Sequence, residues 1–550
     1  MKNKIPVIDL FAGPGGLGEG FSRAGFEVVL SIEMDDTACD TLRLRKFYNL
    51  FKKNSVPKLY YEVIKEEKPL LELKKKYPKK WELAANRVLK AEIGKNTEYI
   101  YNKISESLKG YDKKKLIVTG GPPCQAYSLA GRSKRLGLGN NYNQKFNILF
   151  DTEEISKLDN EIKLKKIIQK KSITTNKKDK NLLKELENYI LEKNNNFYND
   201  SKHRLYEHYL NIIEFFQPVI FVMENVKGIN SAVIPLKKNK TVKVLDNILR
   251  DIHNLGYQTL ALTSSNNKQI DLLDNKNFII KCEDYGVPQK RHRVIITAIK
   301  NNKSYNLSSL DIDNEVITVK NMIFDMPKLR SGLSKNSDTY ENWVNTIQNQ
   351  IEEKKIDELK ECINVIKNNR PLNRGKPFIK NVFNRTKHKA KEWIYDSNLN
   401  GVIQHTSRSH MNSDLIRYMY SSWFNKEKNY QAKISDWPIQ LKPMHKNILI
   451  KNKKLSSDSH IDRFKVQSWD LPSNTITSHI SKDGHYFIHP DISQCRSFTP
   501  REAARLQTFP ENYYFFGGRT LQYHQIGNAV PPYLAYQIAI KIKIILNNNF

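Results

Sequence analysis

Cysteine is scarce in this chain, and its few copies stand apart. The 550 residues hold five, at Cys39, Cys124, Cys282, Cys362 and Cys495. Their number is odd and no two are close enough to form a metal-ligand pair, so neither a metal site nor a disulfide framework is expected. Acidic residues are short as well: 58 Asp+Glu stand against 90 Lys+Arg, a formal net charge of +32. Such an excess suits a polyanion, with nucleic acid the first candidate. The chain is also heavy in Lys, Asn and Ile, so part of the excess is solvated surface, and charge alone leaves both readings open. Long apolar runs are missing too. The most apolar late stretch, Ile538 to Leu546, is broken by Lys541 and Lys543, and no membrane span is expected. The N-terminus runs almost directly into a strand without a signal-peptide core. With the cysteine usage, this points to a reducing cytoplasm.

What is present organises around Gly120-Gly121-Pro122-Pro123-Cys124-Gln125. The apolar Leu116-Ile117-Val118 before it reads as a short buried strand. The glycines permit a sharp turn, and the prolines stiffen it and end the strand. A cysteine on a rigid loop at the carboxyl end of a strand is well placed as a nucleophile. A small buried cysteine is the commoner fate of a lone one, so the rest of the chain has to decide.

Residues 5–10 read as a buried strand, followed by Phe11-Ala12-Gly13-Pro14-Gly15-Gly16-Leu17-Gly18 and an apolar-periodic segment. Strand, glycine loop and helix open a Rossmann-like unit. Gly13, Gly15 and Gly18 satisfy the dinucleotide spacing, a weak signal alone. The next strand ends at Glu33, whose carboxylate could accept from both ribose hydroxyls of a nucleoside. A nicotinamide dinucleotide and S-adenosylmethionine both fit so far. Pro14 favours the second, because a pyrophosphate wants the backbone N–H that proline lacks. Glu92 could sit near an adenine edge or be one more surface charge.

Further on, a helix is expected from 203 to 216. A buried strand over 218–223 then ends in Glu224-Asn225-Val226. That carboxylate faces the same crevice as Cys124 if the strands are neighbours. Gln289-Lys290-Arg291-His292-Arg293 enters another strand, and alternation puts Arg291 and Arg293 on one face, where one of them could clamp a base or a phosphate. Residues 145–200, rich in Lys, Asn, Glu and Ile, read as an insertion. Residues 301–465 carry no nucleotide-fold pattern, but mix aromatics with basic clusters and read as a second, inserted domain. From 466 the ordered style returns. Thr499-Pro500-Arg501-Glu502 reads as a capped helix start, and Gly527-Asn528-Ala529-Val530 stands just before the last helix.

Taken in order, these motifs resemble those of the DNA (cytosine-5)-methyltransferases of bacterial restriction–modification systems. The likeness lies in Asp9–Gly16, Gly120–Gln125, Glu224–Val226, Gln289/Arg291/Arg293, the Arg496–Glu502 motif and Gly527–Val530. Each is weak to moderate alone, but six in one order are specific. The resemblance implies an α/β fold: a Rossmann-like S-adenosylmethionine-dependent methyltransferase core over 1–300 and 466–550, with a target-recognition domain inserted at 301–465. The cofactor would lie against Phe11, Ala12, Gly13, Gly15, Gly16, Leu17, Glu33, Met34, Pro122, Asn528 and Val530. The catalytic set would be Cys124, Glu224, Arg291 and Arg293, with Gln125, Ser128, Arg132 and Gln289 on the DNA.

The implied chemistry is covalent. The Cys124 thiolate would add to carbon 6 of cytosine and make carbon 5 nucleophilic. Glu224 would hold the N3 proton and Arg293 the O2. The base would have to leave the stack first. The resemblance further implies double-stranded DNA as partner, a monomer in the bacterial cytoplasm, and a cognate restriction endonuclease as functional partner. The same core acting on RNA, and a DNA-binding protein with dead chemistry, are the competing readings. The long 301–465 region argues against the first, and the intact Cys124, Glu224 and Arg293 argue against the second.

Overall fold

The computed structural model describes residues 4–123, 205–235, 241–263, 275–300, 309–334, 337–368, 371–380, 389–442 and 464–549. Cys124, Gln125, Ser128, Arg132 and the insertion at 145–200 lie outside the described residues. The first half alternates strand and helix: β1 (Pro6–Leu10), α1 (Gly16–Arg23), β2 (Glu27–Glu33), α2 (Asp36–Asn49), β3 (Val88–Lys90), β4 (Ile117–Gly120), α3 (Leu205–Phe216), β5 (Ile220–Val226), α4 (Val244–Asn254), β6 (Tyr257–Leu260), β7 (Ile279–Lys281) and β8 (His292–Lys300). Short helices fill the interval between α2 and β3. β3 itself was not expected from the lysine-rich pattern around it.

The eight strands form one sheet in the order β3-β2-β1-β4-β5-β8-β6, with β7 also on β8. β1 to β5 are parallel, and β8 runs antiparallel to β5. From β1 the chain builds outward to β2 and β3, then returns to add β4 on the other side. The carboxyl ends of β1 and β4 therefore flank the point where strand order reverses, the place where open α/β sheets bind ligands.

β1 is buried along its length because both sheet faces are covered. Ile8 and Leu10 join a cluster with Tyr209 and Ile213 of α3 and Ile248 of α4. Val7 faces the other way, with Phe21 of α1 and Leu534 and Ile538 of the last helix. That last helix, Pro532–Asn549, belongs to a stretch, 519–547, which is long and apolar enough to cross a membrane by length and composition. Here it is a core element: Leu534, Ala535, Ile538, Ala539 and Ile542 have no exposure at all.

The second half holds α5 (Tyr340–Lys354), α6 (Asn412–Lys428), α7 (Pro500–Leu506), α8 (Arg519–Asn528) and α9 (Pro532–Asn549). α7 starts as its sequence predicts: Thr499 accepts from Glu502 N, Glu502 accepts from Thr499 N, and Pro500 takes the first position. The packing does not divide at 466, where a return to the core is expected. Val466, Ile488 and Cys495 join Trp343 of α5 and Tyr418 of α6 in one cluster. α7 and Tyr523 and Ile526 of α8 pack with Val319, Met322, Ala390 and Val402. α9, by contrast, goes back to the first sheet. Capping and turn signals mark where helices begin, not which body they join.

A crevice at the switch point of the sheet

Phe11, at φ 52°, begins the turn out of β1, with Gly13 (φ 54°) and Gly15 (φ 94°) following. The left-handed backbone suits the two glycines. Glu33 at the end of β2 fixes this loop. Its Oε2 accepts from Gly13 N at 2.8 Å, and its Oε1 accepts from Met34 N (2.8 Å) and Asp35 N (2.9 Å). A carboxylate so held keeps a lone pair of Oε2 for a hydroxyl. A side chain at Gly13 would stand in open space, and Met34 beside it is 59% exposed. A rigid acceptor next to an open, side-chain-free turn fits the ribose of an adenosyl cofactor.

Gly16 and Gly20 serve a different need. A Cβ on Gly16 would lie 2.1 Å from Val530 O, and one on Gly20 would lie 2.4 Å from Tyr536 N. Only hydrogen at both positions lets the chain around α9 press onto α1. Leu17 closes the contact with Val530 and Ala535. Ala12 packs on Cys39, Leu42 and Val88, and Asn528 is exposed at the end of α8. Gly16→Ala is therefore expected to destabilise the chain by about 2 kcal/mol and to weaken cofactor binding with it. Thermal melts with and without S-adenosylhomocysteine test this. An unchanged midpoint and an unchanged ligand shift would refute it.

β5 runs on through the Glu-Asn-Val motif rather than stopping before it. Register places Glu224 opposite Ile295, and Val226 opposite Arg293. Arg293 Nε lies 3.0 Å from Glu224 Oε1, and both side chains are largely buried, at 12% and 13% exposure. The other oxygen, Oε2, stands 2.8 Å from where a Cβ on Gly121 would be. Asn225 Nδ2 donates to Pro122 O at 3.5 Å, and Pro122 is buried. So the Glu224–Arg293 pair sits against the Gly121–Pro122 turn, two residues short of Cys124. The cofactor loop lies at the neighbouring strand end.

The rest of the expected basic motif goes elsewhere. Arg291 is 1% exposed. Its Nη1 donates to Ile476 O (2.8 Å) and Gly527 O (3.2 Å), and its Nη2 donates to Gly527 O (3.2 Å). Burial pushes its guanidinium down to about 9. Gln289 is fully buried; its amide donates to Leu506 O and Gln507 Oε1 and accepts from Ile476 N at 2.6 Å. Neither can touch a base or the DNA from there. Alternation was expected to put the two arginines on one face, but Arg291 lies just before β8 and meets the 473–477 segment, which covers it. Glu92 is half exposed and pairs with Lys95 at 2.8 Å.

Sequence reasoning missed the support behind the cofactor loop. Tyr513 donates to Pro14 O, and its hydroxyl lies 2.9 Å from a Cβ built on Gly15. Glu19 of α1 is buried between Arg45 (Nη2–Oε1 2.5 Å) and Arg23 (2.8 Å). Burial alone would raise the Glu19 carboxyl, but Arg45 and then Arg23 outweigh it and hold it down to about 2. A folded pKa below the unfolded value gives stability that is present above about 4.5 and lost as pH falls towards 2. Denaturant unfolding at a series of pH values should show that loss, and Glu19→Gln should flatten it. A wild-type profile flat from pH 5 to about 3 would contradict the pairing.

The arrangement can hold a nucleoside at one strand end and polarise a planar amide-like ring at the next. Known proteins agree with it. Residues 5–67 and 190–544 match the family model of the C-5 cytosine-specific DNA methylases. The chain belongs to that family. It is a DNA methyltransferase acting at carbon 5 of cytosine, and the family depends on S-adenosylmethionine. The stretch 68–189, which holds Gly120–Gln125, falls between the two matched segments. Relatives align along nearly all of this cytosine methylase. The type II methyltransferase M.Bpa9945I of Bacillus paralicheniformis is 29% identical over 99% of each chain. The type II methyltransferase M.DdeI of Desulfomicrobium norvegicum is 24% identical over 98% of this chain and 89% of its own. The fold matches the crystal structure of a prophage-encoded protein from E. coli described as a DNA modification methyltransferase. It is 18% identical, with TM-score 0.50, over 99% and 100% of the two chains.

Proposed function

We propose that this methylase modifies cytosine within one short recognition sequence of duplex DNA, as the protecting half of a restriction–modification pair, and works as a cytoplasmic monomer. The observation that carries the reading is the Glu224–Arg293 pair beside the turn to Cys124, one strand from the cofactor loop. The type II names of its relatives support the restriction–modification setting.

S-adenosylmethionine supplies an electrophilic methyl group when bound. Glu33 with the Gly13–Gly16 turn would hold its adenosyl part, with Phe11, Ala12, Leu17, Met34, Pro122, Asn528 and Val530 around it. The Cys124 thiolate adds to carbon 6 of a flipped-out cytosine. Electron density then moves towards N3 and O2. Glu224 holds a proton at N3, and Arg293 donates to O2, so the developing charge meets fixed donors in a water-poor crevice. A carboxylate paired with one arginine at 3.0 Å and turned with its other oxygen to the nucleophile turn suits both tasks. Gln125, Ser128 and Arg132 would follow the nucleophile onto the DNA. Arg291 and Gln289 are better read as clamps than as substrate contacts.

Bisulfite sequencing of DNA from cells expressing the chain tests this. Protected cytosines in a single short context are the expected result. Full conversion everywhere, with the chain folded, would overturn the reading.

A further inference from the structure

Away from the crevice, two arginines share one carboxylate, and two more stand close to them. Arg330 and Arg374 both pair with Asp338, at 2.5 and 2.8 Å. Arg374 also donates to Ser407 O at 3.1 Å, and Arg519 donates to the same carbonyl. Arg408, the next residue, donates to Ser481 O at 2.9 Å and lies over the Tyr523 ring, 5.2 Å from its centroid. Among the described residues no carboxylate stands within ion-pair distance of Arg408 or Arg519. Burial lowers the Arg519 guanidinium; Tyr523 opposes this, and Arg408 and Arg374 lower it further.

Donors are in surplus as well as charge. Among the described residues, the buried Arg374 Nε, Arg408 Nη1 and Ser407 hydroxyl have no hydrogen-bond partner, and Ser407 is 1% exposed. The cluster is not sealed. The Arg374 side chain is 35% exposed. Gly518, before Arg519, is exposed, and open space lies where a side chain there would stand. Gly518 also leaves the start of α8 without a side-chain cap. The strand after Arg374, Gly375–Lys380, carries exposed Lys376 and Lys380.

Packing two guanidiniums on the Ser407 carbonyl, with Arg408 the next residue along, costs self-repulsion, which a bound anion removes. Guanidinium forks match the two free oxygens of a phosphodiester. We propose that Arg374, Arg408 and Arg519 hold a backbone phosphate of the DNA substrate. The contact is sequence-blind and sets how the duplex lies across the recognition half. The proposal rests on duplex DNA being the substrate.

The test uses the full chain and a short labelled duplex, with affinity read over a range of salt. Arg519→Gln should weaken binding about three- to tenfold and lower the salt slope by about one, alike for unrelated sequences. Arg519→Lys should restore most of the affinity. The thermal shift with S-adenosylhomocysteine should stay as in the unmodified chain, reporting an intact core. Arg408→Gln should act in the same direction and replaces the first variant if that one does not fold. A folded variant with unchanged affinity and slope overturns the proposal. So does a phosphate-induced thermal shift that Arg519→Gln removes while DNA binding stays unchanged, since the site would then take free phosphate. An unmodified chain that neither binds nor methylates any duplex sinks the DNA reading itself, a separate failure.

Discussion

Cys124→Ser should leave a protein that binds DNA and transfers no methyl group. The expected loss is on the order of 10⁴-fold or more. A serine hydroxyl is almost wholly protonated at neutral pH and is a far weaker nucleophile than a thiolate. The thiol, by contrast, has an accessible thiolate that adds to carbon 6 and later leaves. Bisulfite sequencing should therefore find every cytosine converted in cells that express the variant. Duplex affinity should stay near that of the unmodified chain, because the serine is smaller and carries no charge. The two readouts together separate three cases. Lost methylation with kept binding assigns the nucleophile. Lost methylation with lost binding reports a broken loop instead. Kept methylation removes Cys124 from the chemistry and with it the covalent route. The prediction bears on a residue outside the described part of the chain. Its physical support is the turn before it, where Gly121 and Pro122 sit against Glu224 and Asn225.

The first half of the fold was legible because its signals are local. β1 is a continuous apolar run, so its burial on both faces could be read directly. The capping box at Thr499 and Glu502 spans four residues and formed as expected. Glu33 was legible as a strand-end acceptor, but its hold on Gly13 N was not, since that bond joins positions twenty apart. The same holds for Tyr513 and Pro14, separated by almost the whole chain. Domain boundaries were the least legible feature. Val466 and Ile488 read as the resumption of the core, yet they pack with Trp343 and Tyr418. An apolar residue announces that it will be buried, not against what. Arg291 shows the same limit for charge, because its pattern fits a DNA-facing edge as well as a buried clamp until the covering segment is known.

That ambiguity makes the Arg291 and Arg293 pair the sharpest remaining test. The two stand two apart in one motif and should fail in opposite ways. Arg291→Ala removes three hydrogen bonds to the carbonyls of Ile476 and Gly527 and leaves those acceptors buried with a void beside them. A buried acceptor stripped of its partner costs about 1–3 kcal/mol, and the void adds to that, so a loss of about 3–5 kcal/mol is expected. Denaturant unfolding should show it directly. Gly527 leads to Asn528 and Val530, so cofactor affinity should fall as well. Arg293→Ala instead removes one partner of a largely buried pair and leaves Glu224 unpaired, so stability should fall by about 1–3 kcal/mol, less than for Arg291→Ala. Activity should fall about a hundred- to a thousandfold, the usual cost of losing one donor to a developing charge. Its KM for the cofactor should hold while kcat drops, since Arg293 pairs with Glu224 and not with the glycine turn. A stable but inactive Arg291→Ala would return that residue to the substrate side. An active Arg293→Ala would remove Arg293 from the chemistry, and the O2 contact would have to come from elsewhere.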